Sequence, residues 1–421
     1  MLFTKFTNWI YSSNEVARYF LMILDLYIVW REYTFIGNIN ERMPEVKHYM
    51  PKKTFDLLKE INRKILLIQL ISDSWRAAVQ IIFSDEFAHI SLWNLSLGFT
   101  GHKSETYTTC AFIFLTTCKE FFLDMPLNVY LLYVEEKLSA MQTSTFLLFA
   151  FCLQQIFQQF LVQSLLFVGS FFVNMSTGSL MISIVVLILT LTSVMEVLVH
   201  AILKANIKQL KNKKILRQLR PYLKEMNFSE ENIYLFKTDH FLETPNAFTV
   251  GHNFLNNQKV VISDNIIGKN WMLNDCCSYK EVVSILMHEL GHVYYHHMTK
   301  TVIMDLFIAI STSFIFLVLY QDIVFESFGF NAIPPVILGI FIRLDLLLSY
   351  NMVCGLVCMI YNRNTEYAAD FFSYTLTGNY LCKALSKLYS IGMNMAEHDP
   401  WYSAWNEDHP SLGERLKFLK D

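Results

Sequence analysis

Charge is what this sequence is short of. Asp, Glu, Lys and Arg make up 17% of its 421 residues, while 53% are apolar and 15% aromatic; a soluble globular domain carries about a quarter charged residues. The shortfall excludes an ordinary soluble surface over much of the chain and points to lipid. The formal net charge is −3, and no basic surface interleaved with aromatics is present, so nucleic acid is excluded as a partner. Cysteine is present but not organised. Cys110, Cys118, Cys152, Cys354 and Cys358 sit in apolar stretches, where they read as small buried hydrophobes. Adjacent Cys276 and Cys277 lack zinc-knuckle spacing, so no disulfide framework is expected. The first eighteen residues lack the continuous apolar core of a signal peptide. The C-terminus matches no lipidation or common retrieval signal, and repeats and low-complexity tracts are absent.

What is there in quantity is long apolar sequence. Hydropathy predicts seven membrane spans, at 19–36, 65–83, 106–133, 145–173, 180–204, 301–320 and 334–361. The second contains Asp73 and Arg76 and also reads as a buried helix of a soluble domain. Lys and Arg alternate between the intervening segments, abundant after the first span, absent from 174–179 and 321–333, abundant again in 204–300 and in the tail. The positive-inside rule then puts the N-terminus in the lumen and segment 204–300 and the C-terminus in the cytosol. Sequons at Asn94 and Asn174 fall on the lumenal side of that arrangement. Asp25, Asp73, Arg76, Lys119, Glu120, Asp305, Arg343 and Asp345 lie within the spans; charges facing lipid are costly, so a hydrated cavity between helices is expected. The expected divisions are 1–204 (spans 1–5), 205–300 (a cytosolic segment), 301–361 (spans 6–7) and 362–421 (a cytosolic tail).

Segment 204–300 reads as a basic helical stretch to about Met226, short strands at 232–236 and 259–263, a turn or short edge segment at Asn246-Ala247-Phe248 between Pro245 and Gly251, and a helix over 279–295. Val282, Val283, Leu286 and Leu290 give that helix one buried face. It also carries His288-Glu289-Leu290-Gly291-His292. Residues four apart share a helix face, so His288 and His292 can clasp one metal ion. Two imidazoles suit Zn²⁺, and Glu289 is placed to take a proton from a water held there. A catalytic zinc needs a third protein ligand. Glu366 is the best candidate, with Asp370 on the same face able to orient a ligand imidazole; taken alone, the pair also reads as a solvated face. His296 and His297 are rival ligands; His296 is four on from His292, but three ligands on successive turns of one straight helix cannot close a tetrahedron. In the tail, His409 could donate to a developing oxyanion. The same stretch also reads as a helix entry capped by Asp408 or Ser411.

The ordered set resembles the integral-membrane CAAX prenyl proteases of type 1, zinc metallopeptidases that process farnesylated proteins. The likeness rests on His288-Glu-Leu-Gly-His292, Glu366-Tyr-Ala-Ala-Asp370 and His409-Pro-x-x-x-Glu414-Arg415-Leu416, with Asn246-Ala247-Phe248 and Pro126-Leu-Asn-Val-Tyr130 as further matches. The chain departs from the family after Lys137, near His200-Ala201-Ile202, and in having one proline after His409. The resemblance implies a mainly α fold: seven membrane helices enclose a hydrated chamber, with a gluzincin-type domain and a small β element on the cytosolic side. It implies one Zn²⁺ held by His288, His292 and Glu366, Glu289 as general base and Asp370 behind the ligands. His409 and Arg415 would stabilise the tetrahedral intermediate and the local structure. Asn246, Ala247 and Phe248 would bind an extended peptide as an added strand.

The expected function is removal of the last three residues of a prenylated CAAX protein in the endoplasmic reticulum membrane or inner nuclear membrane, with N-terminal processing of such substrates as an extension. A membrane quality-control protease with no need for a prenyl group is the alternative. A transporter or scaffold with a structural zinc is disfavoured, because such a zinc would have four protein ligands.

Overall fold

A computed structural model of the chain describes residues 2–82, 85–101, 207–236, 247–251, 257–267, 277–319 and 348–420, with 107–108, 110–112, 114–116, 118–119, 122–123 and 130. It is mainly helical. The chain divides into two compact units, one of Met1–Trp30, Ile65–Thr192 and Phe307–Gly355, the other of Arg31–Lys64, Ser193–Leu306 and Leu356–Asp421.

Long helices carry apolar stripes on their outer faces. Val16, Phe20, Ile23, Tyr27 and Trp30 recur at steps of three and four along the helix Leu2–Asn38, and all are exposed. Ile303, Phe307, Ile310 and Phe314 repeat the pattern on His297–Leu319, as do Val353, Val357 and Ile360 on Leu348–Thr377. Among the described residues, no helix is long and apolar enough to cross a membrane. Expected spans 145–173 and 180–204 lie outside those residues, as do parts of 65–83, 106–133, 301–320 and 334–361. The fully described 19–36 holds Asp25, Arg31 and Glu32, which lower its hydropathy. Residues read as a loop after the second span instead form the helix Asp85–Thr100, where neither glycine nor proline intervenes before Gly98.

The second unit holds a four-stranded sheet of order β1-β2-β4-β3, with β1 Ile207–Gln209, β2 Ile233–Phe236, β3 Ala247–Val250 and β4 Lys259–Ser263. Strands β2 and β4 pair in parallel at the centre, and β3 runs antiparallel to β4 at one edge. The expected strands thus form, and the Ala247-Phe248 segment is an edge strand. It ends at Gly251, whose φ of +88° and closeness to Asn257 (a Cβ would meet the Asn257 carbonyl oxygen at 2.5 Å) admit glycine alone. The basic stretch begins with β1 and becomes helical only over Lys213–Glu225, capped by Asn212. Ile215, Leu219 and Leu223, four apart, are its buried side.

The helix Tyr279–Tyr294 packs against this sheet. A capping box of Ser278 and Glu281 starts it, and Lys387 of the helix Asn379–Ile391 reaches Glu281 at 3.0 Å. Its burial is wider than the single face the sequence suggested: Ile285 and Met287 are buried along with Val282, Val283, Leu286 and Leu290, because sheet and helices enclose it.

The tail is anchored by buried charge. Glu32 accepts from the Asp399 backbone N–H at 2.7 Å and lies 2.7 Å from His398 Nδ1, while Arg31 reaches Asp399 at 2.8 Å. Burial alone would lower the His398 pKa, but the hydrogen bond and charge of Glu32 outweigh it and raise it above the usual histidine range. The stability so contributed is complete below the unfolded value and is lost as pH rises through the raised one. The thermal midpoint of the detergent-solubilised protein should therefore fall as pH climbs above neutral. Glu32→Gln should flatten that slope and destabilise by about 3 kcal/mol at neutral pH; an unchanged slope would contradict the pairing.

Candidate metal centre

Two helices meet almost without side chains between them. A Cβ at Gly291 would lie 3.1 Å from the Ala369 Cα and 3.4 Å from its Cβ. One turn beyond Ala369 on one helix and two turns before Gly291 on the other, the Ser373 hydroxyl donates to the Ser284 carbonyl at 2.7 Å. This contact brings the helix Leu348–Thr377 against Tyr279–Tyr294, with Glu366 facing both histidines. Glu366 Oε2 is 3.4 Å from His288 Nε2, and Oε1 is 3.3 Å from His292 Nε2. The two Nε2 atoms are 3.2 Å apart. Ligand atoms of His288, His292 and Glu366 all lie within 4.8 Å of one another, a set that could hold a metal ion. Two nitrogens and a carboxylate oxygen, with no aliphatic side chain between them, fit that use.

Asp370, one turn beyond Glu366 and fully buried, lies 3.0 Å from His288 Nδ1. The contact is close, but its angle is not that of a hydrogen bond. Arg415 grips Asp370 with both arms of its fork, Nε to Oδ2 at 2.7 Å and Nη2 to Oδ1 at 2.6 Å, and lies 3.5 Å from Glu366. The tail is built to deliver it. Ser411 and Glu414 form a capping box under the helix Leu412–Phe418. Arg363 ties Glu414 (2.9 Å) and the Ser403 carbonyl (2.9 Å) to the Glu366 helix, and Tyr389 donates to the Pro410 carbonyl at 2.7 Å. His409 stands half-exposed at the rim, Nε2 3.5 Å from Glu366 and Nδ1 2.8 Å from Asp408. The centre opens into a cavity of about 280 Å³ lined by Ala247, Phe248 and Thr249 of β3 and by Glu289, Leu381 and Leu385 among others.

The model of peptidase family M48 matches residues 209–421. The chain belongs to peptidase family M48. It is similar to the CAAX prenyl protease 1 homologs of Oryza sativa subsp. japonica (31% identical over 189 residues, 44% of this chain and 43% of that one) and Homo sapiens (26% over 240 residues, 49% and 50%). It is also similar to the CAAX prenyl protease 1 of Saccharomyces cerevisiae (22% over 452 residues, 97% and 94%). The chain thus spans about half the length of the rice and human relatives in these matches and nearly all of the yeast one. Its fold is that of the crystal structure of S. mikatae Ste24p, at a TM-score of 0.78 and 18% identity over 98% of each chain.

Electrostatics in this M48 centre are set by burial and countercharge. Burial alone would raise the Glu366 carboxyl, but His288, His292 and Arg415 hold it well below the usual range. Asp370 is likewise lowered against its burial, chiefly by Arg415. His288 moves the other way: burial disfavours its cation, yet the Asp370 and Glu366 carboxylates beside it push it up to about 10. A proton there serves the two carboxylates as a cation would. His409 is raised, first by its hydrogen bond to Asp408, against burial, with Glu366 adding to it.

Each expected site residue except Asn246, which lies outside the described residues, is in this cluster or on its wall. Two neighbours take places that the sequence reading did not give them, His297 having been read as a rival ligand. The Thr249 hydroxyl lies 3.1 Å from Glu289 Oε2 and 3.2 Å from the Glu289 carbonyl, and His297 Nδ1 lies 2.9 Å from His292 Nδ1. For Thr249 the one available signal was its place on an edge strand. The helix contact is directly testable: Gly291→Val should spread the three donors and weaken Zn²⁺ binding by at least about tenfold in a chelator-competition titration, with Gly291→Ala less affected. Unaltered affinity in the valine variant would show that the close approach does not matter.

Proposed function

We propose that this chain is a zinc metalloendopeptidase of membranes that removes the C-terminal three residues of prenylated CAAX proteins. The observation that carries the reading is the convergence of His288, His292 and Glu366 at the mouth of a cavity walled by β3, an edge strand among the described residues. The names of its relatives, membership of M48 and the Ste24p-like fold support it. His288, His292 and Glu366 would hold the Zn²⁺, a mixed set suited to that ion with one corner left for reactants. When bound, the ion supplies Lewis acidity toward water and a carbonyl oxygen.

The chain's own residues do the rest. Glu289 takes a proton from the attacking water as the new C–O bond forms, then hands it to the departing nitrogen as the C–N bond breaks. Thr249 holds that carboxylate by its hydroxyl. His409, whose cation the Asp408 carboxylate favours, donates to the oxygen of the attacked carbonyl. Arg415 acts at one remove: its fork is committed to Asp370, so it positions the His288 and Glu366 side chains rather than meeting substrate. Substrate lies extended along β3, adding a strand to the edge formed by Ala247–Val250. Asn246 stands directly before that strand in sequence. Ile285, Met298, Leu381, Leu385 and Leu388 give the cavity an apolar side that suits aliphatic side chains.

The exposed apolar stripes at helical spacing support a bilayer setting, in which a lipidated tail partitions to the same phase as the enzyme. Seven spans around a hydrated chamber, a cytosolic metal centre and an endoplasmic reticulum or inner nuclear membrane location complete the reading. The test is a mass-spectrometric cleavage assay on a farnesylated CAAX peptide and its unprenylated twin. Wild type should release the tripeptide from the farnesylated form, and Glu289→Gln should retain zinc while losing about 10²–10⁴-fold in rate. Normal cleavage by Glu289→Gln would overturn the mechanism. Equal cleavage of both peptides would remove the prenyl requirement and favour a quality-control role.

A further inference from the structure

The ligand histidines are supported differently, and the difference defines a role for a residue outside the motifs. His292 turns Nε2 toward His288 and Glu366 (3.2 and 3.3 Å), so Nε2 is its metal-facing nitrogen. A neutral imidazole with its lone pair on Nε2 carries its proton on Nδ1. That Nδ1 lies 2.9 Å from His297 Nδ1. Two nitrogens at this separation share one proton, so His297 Nδ1 must be the acceptor, with the His297 proton on Nε2.

The backbone is arranged to make this contact. The helix Tyr279–Tyr294 stops at Tyr295, and His296 takes a left-handed φ of 57°, a conformation histidine tolerates better than most residues. The chain then restarts as the helix His297–Leu319. On a continuous helix, position 297 would point well away from 292. The break returns its buried ring to the Nδ1 side of His292, opposite the metal-facing nitrogen. The Thr301 hydroxyl donates to the His297 carbonyl at 3.1 Å, and the Tyr295 ring stacks on the imidazole at 5.6 Å.

We propose that His297 is a positioning residue of the metal centre. It accepts the hydrogen bond from His292 Nδ1–H and so fixes the tautomer and ring plane that present Nε2 to the ion. A carboxylate or carbonyl usually fills this place; Asp370 stands 3.0 Å from His288 Nδ1 without the angle of a hydrogen bond, and beside His292 the place is filled by a neutral imidazole. The inference rests on the zinc-site reading above and is independent of which peptide is cut.

Purified full-length protein, stripped of metal, would be titrated with Zn²⁺ against a chromogenic chelator and with Co²⁺ by visible absorption. His297→Phe keeps a ring for packing but no acceptor, and should bind Zn²⁺ about 10–100-fold more weakly with an altered Co²⁺ spectrum. His297→Gln can accept through its amide oxygen and should recover most of that affinity. Wild-type affinity in His297→Phe would overturn the proposal, as would a His297→Gln variant no better than His297→Phe. Neither readout involves substrate, so the series stands or falls apart from the peptide assay.

Discussion

Everything at this centre depends on one missing side chain. Gly291 lies against Ala369, and two helices that are distant in sequence approach closely enough for Glu366 to reach both imidazoles. A larger residue at either position would hold the axes apart, and side chains of fixed length could not make up the gap. The capping box at Ser278, the sheet beneath the helix and the Ser373–Ser284 hydrogen bond all act to keep that approach. Packing therefore precedes chemistry: the donor set is a consequence of how closely two helices can lie.

Charge is arranged to make such a buried cluster tolerable. Two carboxylates, Glu366 and Asp370, are balanced by the Arg415 guanidinium and by a cation shared at His288, a proton or a metal ion. Removing Arg415 would leave Asp370 buried without its guanidinium, a costlier state than losing the pair together. The tail residues serve this balance. Arg363, Ser403, Ser411 and Glu414 form the polar frame that carries Arg415 inward and leaves His409 at the rim. The Glu32–His398 pair then fixes the chain just before this frame.

Spacing made the local features legible in the sequence. The four-residue step from His288 to His292, and from Glu366 to Asp370, puts each pair on one helix face whatever the tertiary fold. The apolar runs at 233–236 and 259–263 form strands for similarly local reasons. What escaped depended on distant packing or on a backbone departure. His297 was weighed only as a rival ligand, and the left-handed turn at His296 that returns its ring to His292 leaves no mark in the spacing. Thr249 gave no periodic signal, since its nearness to Glu289 is made by the sheet edge meeting a helix. The wider burial of the His288 helix also followed from tertiary surroundings rather than from pattern.

The central claim is that two imidazoles and a distant carboxylate hold one ion with a corner left for reactants. Diffraction from zinc-loaded crystals, with anomalous data across the zinc edge, tests it most directly. The account predicts a single site with His288 Nε2, His292 Nε2 and Glu366 as its protein ligands, each at about 2.0–2.2 Å, and no fourth side chain bound. A zinc held elsewhere, or one closed by a fourth protein ligand, would contradict it.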